Sequence, residues 1–562
     1  MNSSSTRLLR DPVRSKLISA ISCSALLILL CACEKANAEQ PAPQPSNVWQ
    51  YSVPLERGTE RRAYLWIPPQ CRHLRGVLLG LQNMLERPMF EDPEIRAAVA
   101  SSDMAIVWIS PGAWPGKLDV PEQPSLKFSP TDDAIAGVQR VLADLAHESG
   151  YSEIKFAPLL VTGHSAASPF VWGMAATEPN RVFAALPYKG YNVGVIPAGV
   201  PTLQVEQEWA EWGKTWGEVW HKELTDLADM RKKDPAALLG GFADLGSGHF
   251  DWHHDSAHVI ALFIRKAAQY RLPAEASEAA PVTLKPISPK SGVLVDPNVL
   301  GTAQFAAVPY EEWKGDPGDA FWYFDREMAE AVDSYMRVQL NKLPQAIDFA
   351  VNGHRAPLVD NGFAVIKPEF LPDGITFRVH AESLTASPSA TLYPNATLGH
   401  ATTSITYRVG SGALRQTGPD TFQVVARSGG LLRQGQPWEP WILAYQPGDD
   451  QYRSADKPAH ILIDVRNTQG ASQTITFPRV PDVRQEQHQI HISATASSGL
   501  PVQLYVEFGP AVIEGNTLHL LPIPPRSRYP VRVIVSAFQW GRVGPKPIKT
   551  TGPQTQEFFI RP

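Results

Sequence analysis

Residues 157–174 read Ala-Pro-Leu-Leu-Val-Thr-Gly-His-Ser-Ala-Ala-Ser-Pro-Phe-Val-Trp-Gly-Met, and the fold turns on how they are read. The apolar run Pro158 to Val161 has the composition of a buried strand. A helix-like segment follows the small residues and runs to about Thr177. Pro169 fits its first turn, where a missing N–H costs nothing. Between them lies Gly163-His164-Ser165-Ala166-Ala167. A strand, a sharp turn carrying a serine and a helix together present a hydroxyl as a nucleophile. The pattern is G-x-S-x-G with Ala167 in the last place, and alanine is small enough for a closely packed, strained turn. Such a pentapeptide also arises by chance in long chains. The flanking strand and helix, and a suitable histidine downstream, carry the reading.

Outward from this stretch, apolar strands alternate with helices. Strands are expected at Ala63 to Ile67, Gly76 to Leu81, Met104 to Ile109, Val182 to Pro187, Pro201 to Val205 and Leu238 to Leu245. Helices are expected at Pro93 to Ala100, Thr131 to Ser149 and Ser256 to Tyr270, with a long helical region after Val205. Thr131 is a plausible N-cap, with Asp132 and Asp133 in the first turn. This alternation predicts a mostly parallel sheet with both faces covered. Residues 48–275 thereby resemble the α/β-hydrolases, a doubly wound fold. That resemblance implies an acid after the strand two beyond the nucleophile and a histidine after the last strand.

His249, in Leu245-Gly246-Ser247-Gly248-His249-Phe250-Asp251-Trp252, resembles the family's catalytic histidine loop. His253, His254 and His258 are competitors, read as surface or helix-capping residues. The acid is less direct. In Val200 to Trp212 the usual aspartate position falls on Ala210, which leaves Glu208 or Glu211. Glu208 shares strand parity with that position and is preferred. Both could instead be helix-start carboxylates favoured by the dipole. The resemblance implies oxyanion donors at Ala166 and in the loop after Gly76 to Leu81, at Asn83 or Met84.

Trp209, Trp212, Trp216 and Trp220 are spaced by three, four and four, one helical face if the segment is a helix. They would form either an aromatic wall near the site or a packing stripe. Trp252 and Trp172 neighbour His249 and Ser165 in sequence, so Trp209, Trp212 and Trp252 stand as substrate-wall candidates.

The N-terminus reads as an export segment over 1–33, with Arg7, Arg10, Arg14 and Lys16 before the apolar Leu17 to Leu30. Leu30-Cys31-Ala32-Cys33 resembles the bacterial lipobox and implies lipidation of Cys33; an ordinary secretory peptide is the alternative. Glu34 follows rather than Asp, so retention at the inner membrane is not signalled, and the address implied is the outer membrane. Residues 34–47 form a tether, Pro-rich over Glu39 to Ser46. With Cys33 lipidated, Cys71 has no disulfide partner and is read as structural. No metal cluster or cofactor motif stands out. A formal net charge of -5 gives no basic surplus to suggest nucleic acid.

The remaining residues divide into a linker with an accessory helix (276–345), a β-sandwich-like module (346–485) and a second module (486–562) resembling bacterial immunoglobulin-like repeats. The linker is Pro281 to Asn298, and the helix is expected over Trp322 to Leu343. Strands alternate without helices from Ile347 onward, as in sandwiches. Trp438 and Trp441 are the aromatic pair that invites a carbohydrate-binding role. The resemblance implies a serine esterase without cofactor or metal, acting on acyl esters of polysaccharides or related small esters. Rivals are a polyester depolymerase or lipase, or a non-catalytic binding lipoprotein on the same fold.

Overall fold

The computed structural model describes residues 47–55, 61–110, 132–190, 197, 199–210, 217–218, 220–274, 276–357, 363–386, 397–426, 440–464 and 466–562. At 132–134, 210, 217 and 218 only the backbone is described. The export segment with Cys33, the Glu39 to Ser46 tether, Thr131, Glu211, Trp212, Trp216 and Trp438 lie outside the described residues.

The central sheet comprises β1 (Tyr51–Pro54), β2 (Arg62–Trp66), β3 (Gly76–Leu81), β4 (Met104–Ser110), β5 (Leu159–His164), β6 (Val182–Tyr188), β7 (Thr202–Gln207) and β10 (Leu239–Asp244). A short hairpin, β8 (Trp209–Ala210) with β9 (Gly217–Glu218), precedes the last of these. The order is β1-β2-β4-β3-β5-β6-β7-β10. Only β2 runs antiparallel to its neighbours, and every pairing from β4 through β10 is parallel. This eight-stranded, mostly parallel sheet fits the α/β-hydrolase architecture.

The strands read as continuous apolar runs because both faces are covered. In β4, Met104, Ile106 and Trp108 enter one core cluster, while Ala105, Val107 and Ile109 enter the other. The covering helices are α1 (Glu86–Phe90), α2 (Pro93–Ser101), α3 (Asp132–Ser149), α4 (Ser168–Thr177), α5 (Trp220–Lys233), α6 (Ala257–Arg271) and α7 (Arg326–Leu340). Asp92 caps α2 by accepting from Glu94 N at 2.8 Å, with Pro93 in the first turn.

Residues 276–345 differ from the expected linker. Val293–Val295, Val308–Pro309 and Phe321–Tyr323 form a small antiparallel sheet packed on β10. A Cβ on Gly241 would come within 2.7 Å of Phe321 and Leu224, so glycine permits this close approach. Phe321-Trp322-Tyr323 is buried strand rather than the start of a helix. The helix begins at Arg326, where Asp325 accepts from Met328 N at 3.0 Å.

The tail is all β. Thr406–Ser411, Trp441–Gln446 and Ala455–Ile461 are neighbours in a four-stranded sheet of the middle module. Strands on both sides of residue 486 pair with one another: Ile475 with Ala496, and Val483 with Ile560. Residues on both sides of 486 thus share sheets.

Candidate active site

Ser165 stands at the end of β5, before a single 3₁₀ turn and α4. Its φ is +52°, a left-handed conformation that costs a non-glycine residue about 1–2 kcal/mol. The surroundings impose it. A Cβ on Gly163 would lie 2.8 Å from the Cβ of Ala167, and one on Gly190 would lie 2.7 Å from the Ser165 carbonyl oxygen. The small residues flanking the serine are thus a steric requirement of the turn.

His249 follows β10, and its Nε2 lies 2.8 Å from Ser165 Oγ. The imidazole is held far below its ordinary range, to about 3, by burial first and then by the charge of Lys189. It is neutral at physiological pH and able to accept a proton. His164, the residue before the serine, ties the two loops together. Its Nε2 donates to the His249 carbonyl at 2.8 Å, and Asn83 Nδ2 donates to its Nδ1 at 3.3 Å.

Lys189 straps the histidine loop from inside the sheet. It follows β6 with φ +48° and is fully buried. Its Nζ donates to Ser247 Oγ (2.8 Å), Gly248 O (2.9 Å) and Asp251 O (2.7 Å) and is ion-paired with Asp244 at 3.0 Å. Asp244 also binds His253 Nδ1 and the hydroxyl of Tyr335, each at 2.8 Å.

Glu208 follows β7, where an acid is expected, and is fully buried. One oxygen accepts from Gly246 N at 2.6 Å, and the other pairs with Arg453. Its own N–H donates to Ser247 O at 3.0 Å. The residue thus grips the loop that bears His249.

Other expectations are redistributed. The amides of Asn83 and Met84 donate to Glu86 Oε2 at 2.7 and 3.1 Å, as backbone donors at a helix start do, so they do not stand open as oxyanion donors. Glu86 Oε1 accepts from His164 N at 2.6 Å. Burial pushes this carboxyl up to about 7 against those amides. Ala166 is the partly exposed residue beside Ser165.

The four tryptophans do not share a helix, since Trp209 lies in β8 and α5 starts at Trp220. Trp209 is buried against Ala346 and Leu398, with Arg453 over its ring. Trp252 is buried too, donating to Asp92 Oδ2 at 2.9 Å and packing on Tyr188. Both have structural partners. Of the competing histidines, His253 is buried in the Asp244 network rather than at the surface. His254 binds Asp92 at 2.7 Å, and His258 lies exposed. Cys71 is buried, its thiol pushed up to about 12 by burial.

Sequence reasoning missed Lys189, Asp244, Glu86, Arg408, Arg453 and Asp456. Only Lys189 carried a local signal, as a cation directly after a fully apolar strand.

No family model and no curated protein matches the chain. Among solved structures, it is similar to TT1662 from Thermus thermophilus, with 18% identity over 37% of this chain and 93% of that one, at a TM-score of 0.25. It is similar to esterase PE8, with 17% identity over 36% and 99% of the two chains, at a TM-score of 0.26. It is also similar to a poly(3-hydroxybutyrate) depolymerase from Bordetella parapertussis, with 13% identity over 40% and 92%, at a TM-score of 0.27. Similarity at these scores bears no weight, and the α/β architecture rests on the chain's own strand order.

Proposed function

We propose that the chain is a serine ester hydrolase in which Ser165 is the nucleophile and His249 the general base. The observation that carries this is the 2.8 Å contact between His249 Nε2 and Ser165 Oγ at a strained strand-to-helix turn. The neutral imidazole takes the serine proton as Oγ attacks the ester carbonyl. The Ala166 N–H is placed, by its position after the nucleophile, to donate to the oxyanion. The imidazolium then protonates the leaving alcohol, and a water activated by His249 releases the acid and restores Ser165.

The acid stays with Glu208 or Glu211. The triad acid's glutamine variant loses about 10⁴-fold in kcat. A loss nearer 10²-fold on Glu208→Gln marks it instead as a residue that only positions the loop. The substrate class proposed is an acyl ester of a polysaccharide or a related small ester, at a membrane-anchored address through Cys33. The export segment and the appended modules support it. The interior placement of Trp209 and Trp252 withdraws the aromatic wall from that support.

The test is hydrolysis of p-nitrophenyl acetate and butyrate by wild type, Ser165→Ala and His249→Ala. Losses of at least about 10³-fold in both variants are expected. Activity surviving Ser165→Ala refutes the assignment.

A further inference from the structure

The loop that carries His249 is gripped from a second side, by the middle β module. Asp456, on the strand Ala455–Ile461, accepts from Gly248 N at 2.6 Å. Arg453, three residues earlier, pairs with Glu208, whose other oxygen holds Gly246 N. Gly246 has φ +81°, and a Cβ there would strike Ser454. Arg408, on Thr406–Ser411, pairs with Asp251. On Trp441–Gln446, Trp441 stacks on Phe250 at 4.6 Å, and the Tyr445 hydroxyl donates to Asp255 at 3.1 Å. These contacts fall on both sides of His249. Glu208, Asp251 and Asp456 are all buried. Burying charge across a seam is expensive, and its return is fixed register rather than net stability. A loop with glycine at 246 and 248 has the most register to lose.

We propose that the middle module is a working part of the hydrolase site, with Arg453, Asp456 and Arg408 as positioning residues that set His249 against Ser165. This rests on the Ser165–His249 reading above.

The experiment uses the full chain. It reads kcat and KM on p-nitrophenyl butyrate, and the rate at which a fluorophosphonate labels Ser165. Arg453→Met should lower kcat about 10²-fold with KM held within about twofold. Labelling should slow by the same factor, and Arg453→Lys should recover part of both. Asp456→Asn and Arg408→Gln should lower kcat by about tenfold with the same signature. Folded variants with kcat within about twofold of wild type overturn the proposal, as does a loss confined to KM. Arg408 is 34% exposed, so Arg408→Gln decides the matter if Arg453→Met does not fold. A wild type whose Ser165 takes no label refutes the esterase reading and this proposal with it. Labelled wild type beside unchanged variants refutes the module's role alone.

Discussion

Both C-terminal modules are all β, yet they meet the domain of the central sheet differently. The middle module places Arg408, Arg453 and Asp456 on the histidine loop and on Glu208. The last module meets the opposite elements. Arg526 binds Glu153 at 3.0 Å, Arg528 binds His147 at 2.7 Å at the end of α3, and Arg532 binds Glu148 at 2.9 Å. Gly509 N donates to Trp49 O at 2.8 Å, ahead of β1. Both seams are rich in arginine. What differs is the partner, the loop bearing His249 in one case and a helix end and edge strands in the other. Charge at a seam therefore does not reveal its function; the element it holds does.

The sharpest test of that contrast lies on the central-sheet side of the loop. Lys189→Met removes the inner strap and leaves Asp244 buried without its cation. A stability loss of about 3–5 kcal/mol is expected, read by denaturant melts, with kcat in the folded fraction falling further than in any single module variant. A milder effect would mean that the module, not Lys189, sets the loop. The last module should show the reverse balance. Arg526→Ala strips the Glu153 and Glu278 contacts and should cost about 1–2 kcal/mol, with kcat within about twofold of wild type. A tenfold loss of kcat there would erase the distinction between the modules.

A further test is in pH. Burial alone would lower the His253 imidazole, but Asp244 and Asp255 override it and raise it from 6.5 to about 10. A raised folded value stabilises fully below the unfolded one, and the gain is lost as pH climbs through about 10. Tm should fall between pH 7 and pH 10 more steeply in wild type than in His253→Asn. Equal slopes would mean that the imidazolium draws no stability from Asp244 and Asp255.

The legible parts of this molecule were local. The strand expected at Gly76–Leu81 spans the same residues in the structure, because a parallel strand buried on both faces is one apolar run bounded by turns. Ser165 and His249 were legible as candidates through their glycine-flanked turns. The tryptophan spacing misled, because a three-four-four period marks a helix only if the chain stays helical, and β8 with β9 interrupts it. Glu86 went unread because its role depends on which amides the turn aims at it. Arg453 and Asp456 had no local mark at all. Their partners lie more than two hundred residues away, and a charged residue in a β-rich stretch looks solvent-facing until another surface covers it.

Sequence by itself determined where the apolar strands of the central sheet fall along the chain, the tight turn at Ser165 and the glycine-flanked loop at His249. These follow from side-chain size and backbone sterics within a few residues. The tertiary structure alone decided which charges are buried and paired, that residues 276–345 join the core of the central sheet, and which β module reaches the histidine loop. Those outcomes depend on surfaces meeting across the chain, where Coulomb attraction and desolvation act between groups that no local pattern connects.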